Sequence, residues 1–155
     1  MVGIGNDLHR LEAGRRLVLG GIEIESELGC VAHSDGDALL HALTDAILGA
    51  CGAGDIGDLF PDTDMKYKGA DSRQFVAEAL RIMHSRGLRL VNIDAVIMLQ
   101  TPKLSPYKAH IRRNIAEICG LDESLVNIKA KTGERLGYIG NSQGVEAVCV
   151  VQAEK

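Results

Sequence analysis

The sequence predicts an α/β (α+β) sandwich, a mixed β-sheet with helices packed on one face. Two observations predict it. Segments dense in Val and Ile alternate along the chain with segments whose apolar residues recur at helical spacing, and Gly, Pro and Asp collect between them. The length, 155 residues, suits one domain spanning 1–155 with its own core. With aromatic residues at only 3%, that core must be aliphatic.

Met1 to Asp7 reads as a short strand with Val2 and Ile4 on one face. Two apolar runs around Gly20-Gly21, between Arg16 and Ile24, read as a hairpin. Asp37 to Cys51 carries Leu40, Leu43, Ala46, Ile47 and Ala50 at helical spacing, and Gly49, Gly52, Gly54 and Gly57 then break the chain into a loop reaching Gly69. Asp71 or Ser72 is a cap for a second helix with the stripe Phe75, Val76, Leu80 and Met83, ending near Ser85 before Gly87. Leu88 to Gln100 is the most strand-like segment. Pro106 to Cys119 is a third helix stopped by Gly120. Leu125 to Lys131 and Gly144 to Gln152 complete the strands.

Several function classes drop out. A net charge of −4 leaves no basic stripe for nucleic acid. No apolar run reaches the roughly 18 residues of a membrane span, and the start, with Asp7 and His9, is unlike a signal peptide, so a cytoplasmic protein is expected. Cys30, Cys51, Cys119 and Cys149 form no CxxC pair and read as reduced, mostly buried thiols.

Three clusters carry chemistry. Residues i and i+2 of a strand share a side, so Asp7 and His9 can reach one ion, although D-x-H alone is more often a capped strand end with a surface His. The segment His33-Ser34-Asp35-Gly36-Asp37 leads into the helix bearing His41 and Asp45, which are i, i+4 partners. Asp45 either holds the second nitrogen of His41 or faces solvent. His84 and His110 read as surface residues. Asp55, Asp58, Asp62 and Asp64 depart from the EF-hand pattern and are open to ordinary turn chemistry. Finally, a turn with Lys131, Thr132 and Glu134 after a strand can cradle phosphate oxygens and meet a hard cation.

Taken together the segments resemble the 2-C-methyl-D-erythritol 2,4-cyclodiphosphate synthase family. Those that carry the likeness are Gly3 to Arg10, Leu19-Gly20-Gly21, His33 to Ala50, Gly54 to Gly57, Leu59 to Asp64, Lys68 to Arg73, Pro102-Lys103 and Glu134 to Gly137. The resemblance implies zinc on Asp7, His9 and His41, and magnesium or manganese on Glu134. It implies transition-state stabilisation by His33 and Thr132, and substrate contacts from Ser34, Asp55 and Gly57 and from the loop with Asp62 and Asp64. It places Ile56, Phe60 and Phe75 along the erythritol. A cytidine pocket would form from Gln100, Thr101, Pro102, Lys103, Leu104, Ser105, Ala130 and Lys131, and Tyr138 would line the substrate. The implied partners are a cytidylylated small molecule and two further copies of the chain, in a homotrimer whose sheets face the axis and whose sites lie between subunits. The chain departs from the family's Gly-Arg-Gly-Glu-Gly run with Gly140-Asn141-Ser142-Gln143-Gly144, where the usual Arg faces the axis.

Overall fold

Nine consecutive residues of the first strand, Val2 to Arg10, pair antiparallel with the last strand, joining the two ends of the chain at the centre of a sheet. The computed structural model describes residues 1–155. The strands are β1 (Val2–Ala13), β2 (Leu17–Leu19), β3 (Ile22–Ile24), β4 (Leu28–Cys30), β5 (Arg89–Met98), β6 (Val126–Lys131) and β7 (Gly144–Glu154). Five form one sheet in the order β4-β1-β7-β5-β6, antiparallel except for the β5–β6 pair, while β2 and β3 make the hairpin around Gly20-Gly21. The helices are α1 (Ala38–Cys51), α2 (Ile56–Leu59), α3 (Arg73–Ser85), α4 (Lys108–Cys119) and α5 (Gly137–Gly140). The mixed sheet and its helical layer are those the sequence predicts.

Inward residues alternate along the strands as a half-buried sheet requires. Ile93, Ala95 and Ile97 of β5 and Val145, Ala147, Cys149 and Val151 of β7 join the aliphatic core beneath α1, with Val76, Met83, Ile111 and Ile115 from α3 and α4. Val2, Ile4, Leu8 and Val150 point to the other face, away from α1, and are exposed. Helix α1 lies directly on the backbone of β1. A Cβ at Gly3 would sit 1.9 Å from the Ala46 carbonyl oxygen, and one at Gly5 would sit 2.0 Å from that of Ala42. Only glycine permits this approach.

Asp37 ties the N-terminus of α1 to the hairpin. Its buried carboxylate accepts from Gly20 N (2.9 Å), Gly21 N (2.6 Å) and Leu40 N (3.0 Å). Burial pushes its pKa up to about 6 in spite of these donors.

The structure corrects several boundaries. β1 runs to Ala13, so Asp7 and His9 lie mid-strand rather than at an end. Their polarity hid the strand, although β7 pairs with it from Val2 to Arg10 and β4 from Leu11 to Ala13. Gly49 lies inside α1, and the helix stops at Gly52 in the left-handed region. The long loop contains α2, opened by reciprocal caps between Asp55 and Asp58, and a 3₁₀ turn at Met65–Tyr67 capped by Asp64. α4 begins at Lys108, after a turn closed by Tyr107 N to Leu104 O. β4 is a three-residue edge too short to show a period.

Candidate metal and substrate site

The alternation that turns Gly3 and Gly5 toward α1 turns Asp7 and His9 the same way. Next to Ala42, whose carbonyl meets Gly5, in the first turn of α1, stands His41, buried. Three ligand atoms therefore converge. Asp7 Oδ2 lies 2.7 Å from His9 Nε2 and 3.2 Å from His41 Nδ1, and the two nitrogens are 3.1 Å apart. Around a zinc ion with bonds of about 2.0–2.1 Å, neighbouring tetrahedral ligands stand about 3.3 Å apart. The triangle fits one face of such a tetrahedron after a small expansion, and the fourth position opens on a pocket. A carboxylate oxygen with two imidazole nitrogens is also the chemistry zinc selects.

His41 is fixed from behind. Its Nε2 lies 2.8 Å from Ser72 Oγ and 3.1 Å from Ser34 Oγ. The Ser72 hydroxyl donates to Asp35 Oδ1, so its lone pair is free to accept from His41 Nε2–H. That tautomer leaves the Nδ1 lone pair facing Asp7 and His9, the state a metal requires. Burial alone would raise the Asp7 pKa, but hydrogen bonds and charge from His41 and His9 bring it down to about 2. Burial opposes charge on His41, yet the hydrogen bond and charge of Asp7, with the charges of Asp37 and Asp35, together raise that pKa.

Two expectations change here. Asp45 neither orients His41 nor faces solvent free. Its Oδ1 accepts from Ile56 N at 2.7 Å, which anchors α2 to α1. Ser72 stands at the start of α3 but makes no side-chain cap, because its hydroxyl serves His41. His84 and His110 are exposed, as read from sequence. The four cysteines are free.

The pocket before the triangle has a volume of about 640 Å³ and is lined by His33, Ser34, Ile56, Gly57, Phe60, Asp62 and Phe75 among others. Phe60 and Phe75 pack with centroids 4.6 Å apart and planes tilted by 39°, and Tyr67, which the sequence reading passed over, closes the cluster at 5.4 Å from Phe60. His33 binds the loop: its Nε2 lies 3.1 Å from Asp64 O, and Gly69 N donates to His33 O at 2.7 Å. Asp64 turns its carboxylate to Lys66. Asp55, which precedes the lining residues Ile56 and Gly57 but does not itself line the pocket, spends Oδ1 on Asp58 N.

A second cavity, about 190 Å³, lies between the ends of β5 and β6, lined by Gln100, Pro102, Lys103, Leu104, Ser105, Ala130, Lys131 and Thr132. Thr101 instead borders a neighbouring hollow on the other side of Pro102. Glu134 is exposed just beyond, its Oε1 3.3 Å from Thr132 Oγ1. Within one chain the two cavities share no lining residue. Tyr138 belongs to neither and donates to Glu146 Oε2. Asn141 donates to Gly137 O at 2.8 Å, across α5.

Comparison with known proteins points to one family. The 2-C-methyl-D-erythritol 2,4-cyclodiphosphate synthase of Dechloromonas aromatica is 51% identical over 99% of this chain and 96% of its own. A synthase of that name solved in a CDP-bound form superposes with a TM-score of 0.92 at 42% identity, covering 99% of this chain and all of that one. The bifunctional IspDF of Campylobacter jejuni superposes at 0.94 with 46% identity over 98% of this chain, which spans only 41% of that longer protein. A model of the YgbB family matches residues 1–154, and the chain belongs to that family, the family of the 2-C-methyl-D-erythritol 2,4-cyclodiphosphate synthases.

Proposed function

We propose that the chain, as one domain, is a metal-dependent cyclase. It converts 4-diphosphocytidyl-2-C-methyl-D-erythritol 2-phosphate to 2-C-methyl-D-erythritol 2,4-cyclodiphosphate and CMP, on the non-mevalonate route to isoprenoid precursors. An oxygen of the 2-phosphate bonds to the β-phosphorus, the bond from that phosphorus to the bridging oxygen breaks, and CMP leaves with the bridging oxygen. This is phosphorus–oxygen lyase chemistry. The observation that carries the reading is the Asp7–His9–His41 triangle facing an aromatic-walled pocket, in a chain of this family.

Zinc on the triangle would supply Lewis-acid charge to a phosphate oxygen. Glu134 would hold magnesium or manganese against the diphosphate. The attacking phosphate is already an anion, so the protein's work is positioning and charge neutralisation. In that work His33 and Thr132 meet the phosphoryl oxygens, Asp55 offers Oδ2 to the sugar alcohol with Ser34 and Gly57, and Phe60, Phe75 and Ile56 pack on its carbon skeleton. Loop 100–105 with Ala130 and Lys131 takes the cytidine.

The working form is a homotrimer with sheets facing the axis and each site shared between neighbours. Two features support it. The open sheet face carries Ile4 at 67% exposure and Leu8 at 50%, an apolar surface that a partner would cover. The metal-side and cytidine-side cavities are also separate within one chain. Four free thiols fit a reducing compartment such as the cytoplasm.

Phosphorus NMR of the purified protein with the cytidylylated substrate tests the reaction. Equal amounts of CMP and cyclic diphosphate are expected. CMP with an open diphosphate would mean hydrolysis, and no turnover would leave a metal-binding protein. Ser72→Ala should weaken zinc binding roughly 10- to 100-fold by freeing the His41 ring, as loss of an outer-shell partner does. Competition against a chromophoric chelator reads that change, and unchanged affinity would remove Ser72 from the site.

A further inference from the structure

The chain after β6 adopts a conformation its own residues disfavour. Glu134 and Arg135 have φ of 52° and 63°, and Leu136 N donates to Gly133 O at 2.8 Å. Two consecutive positive φ angles closed by an i to i+3 bond are the marks of a type I′ turn, whose central positions favour Asn and Gly. Glu and Arg carry side chains that oppose the left-handed region. Such a turn persists only where its surroundings hold it.

The holding contacts can be counted amide by amide. Leu136 N is closed within the turn, and Glu134 N lies 3.3 Å from Thr132 Oγ1. The other two, Gly133 N and Arg135 N, both donate to one atom, Oε1 of Gln100, at 3.2 and 3.4 Å. Gln100 is half-buried, two residues beyond β5, and comes from a different part of the sequence. From the far side the turn is braced by α5, since a Cβ on Gly133 would stand 2.4 Å from Gly140 N.

We propose that the side chain of Gln100 is a positioning residue for the phosphate side of the reaction: its carbonyl oxygen holds the Glu134–Arg135 turn and thereby fixes Thr132 and Glu134. It acts through the turn and need not touch substrate with its amide. Because Gln100 also opens the loop that lines the cytidine-side cavity, the same side chain links the nucleotide-binding loop to the residues that meet the diphosphate. The inference rests on the cyclase reading above.

The test compares Gln100→Met, which keeps the stem and removes the acceptor, with Gln100→Glu, which keeps an acceptor of equal reach. Hydrogen exchange of segment 132–136 is measured on the intact assembly without substrate, beside kcat, KM and zinc content. In Gln100→Met, exchange in 132–136 is expected to rise about tenfold, as loss of two modest hydrogen bonds allows. Segments 126–131 and 144–154 should stay as in the parent. Its kcat should fall at least about tenfold with zinc content full and KM changed less, because the lost positioning is felt at the reacting groups. Gln100→Glu should recover the slow exchange and most of the lost kcat. If Gln100→Met does not assemble, Gln100→Asn, which withdraws the acceptor by one methylene, takes its place with the same expectations. Exchange and kcat equal to the parent in the acceptor-less variant would overturn the proposal. Fast exchange in that variant, with no cyclisation even by the parent, would leave the positioning intact and sink the cyclase reading instead.

Discussion

Without the imidazole of His41, the chain is expected to fold, lose its metal and lose its activity. The ring is one of the three proposed protein ligands, and it is buried in the first turn of α1, whose other buried residues run on to Ala50. Structural zinc sites bind with about 10–16 kcal/mol, so a third of such a site is worth about 3–5 kcal/mol, a few hundred- to several thousandfold in Kd. His41→Ala should therefore hold no zinc after dialysis against a mild chelator. Cyclic diphosphate should fall below detection in the same preparation. Elemental analysis and a circular-dichroism melt separate loss of metal from loss of fold. A full equivalent of zinc in the variant would sink the ligand assignment.

The second large effect concerns a residue with no chemistry. Gly5→Ala places a methyl 2.0 Å from the Ala42 carbonyl oxygen and 2.8 Å from Ala46 N. Both are backbone atoms of a helix and cannot swing aside. The strand cannot yield readily either, because β7 fixes it over nine residue pairs. Overpacking usually costs about 1–3 kcal/mol, and a clash with backbone on both sides belongs at or above the top of that range. For a chain of this size, 3 kcal/mol lowers the melting temperature by about 6–12 °C. Gly49→Ala is the matched control. It lies in the same helix–strand contact, but the nearest atom to its new methyl is 3.8 Å away. Since alanine is the better helix former by about 1 kcal/mol, that variant should melt at or above the parent temperature. Equal melting of Gly5→Ala and the parent would show that α1 and β1 are not pressed together as described.

Much of this was legible in the residues, for reasons that can be stated one by one. That Asp7 and His9 share a side follows from their spacing of two once the segment is read as a strand, and the stripes of α1 and α3 show at helical spacing. The orienting partner of His41 did not. Helix spacing suggests Asp45, but that carboxylate is taken by Ile56 N, a donor that reaches it only because the loop folds back. Ser72 lies 31 residues away from His41 and looks like an ordinary cap. The same limit hid the role of Gln100, whose partners Gly133 and Arg135 are brought near by the parallel β5–β6 pair. Gly3 and Gly5 lie within the segment read as a strand, but nothing in the sequence marks them as the thin places through which a helix meets a sheet. Contacts made by local spacing are readable, and those made by chain reversal are not.

The first strand works as a reading frame. Gly3 and Gly5 admit the helix, and Asp7 and His9 follow on the same side because every second residue returns to it. Substitution at the outward positions Val2 or Ile4 leaves that frame untouched. One residue inserted or deleted between Gly5 and Asp7, with both ends of the strand still paired, would send the carboxylate and the imidazole to the open face of the sheet. A compensating bulge could restore them only between the glycines and the ligands. Length, rather than composition, is thus what this segment can least vary.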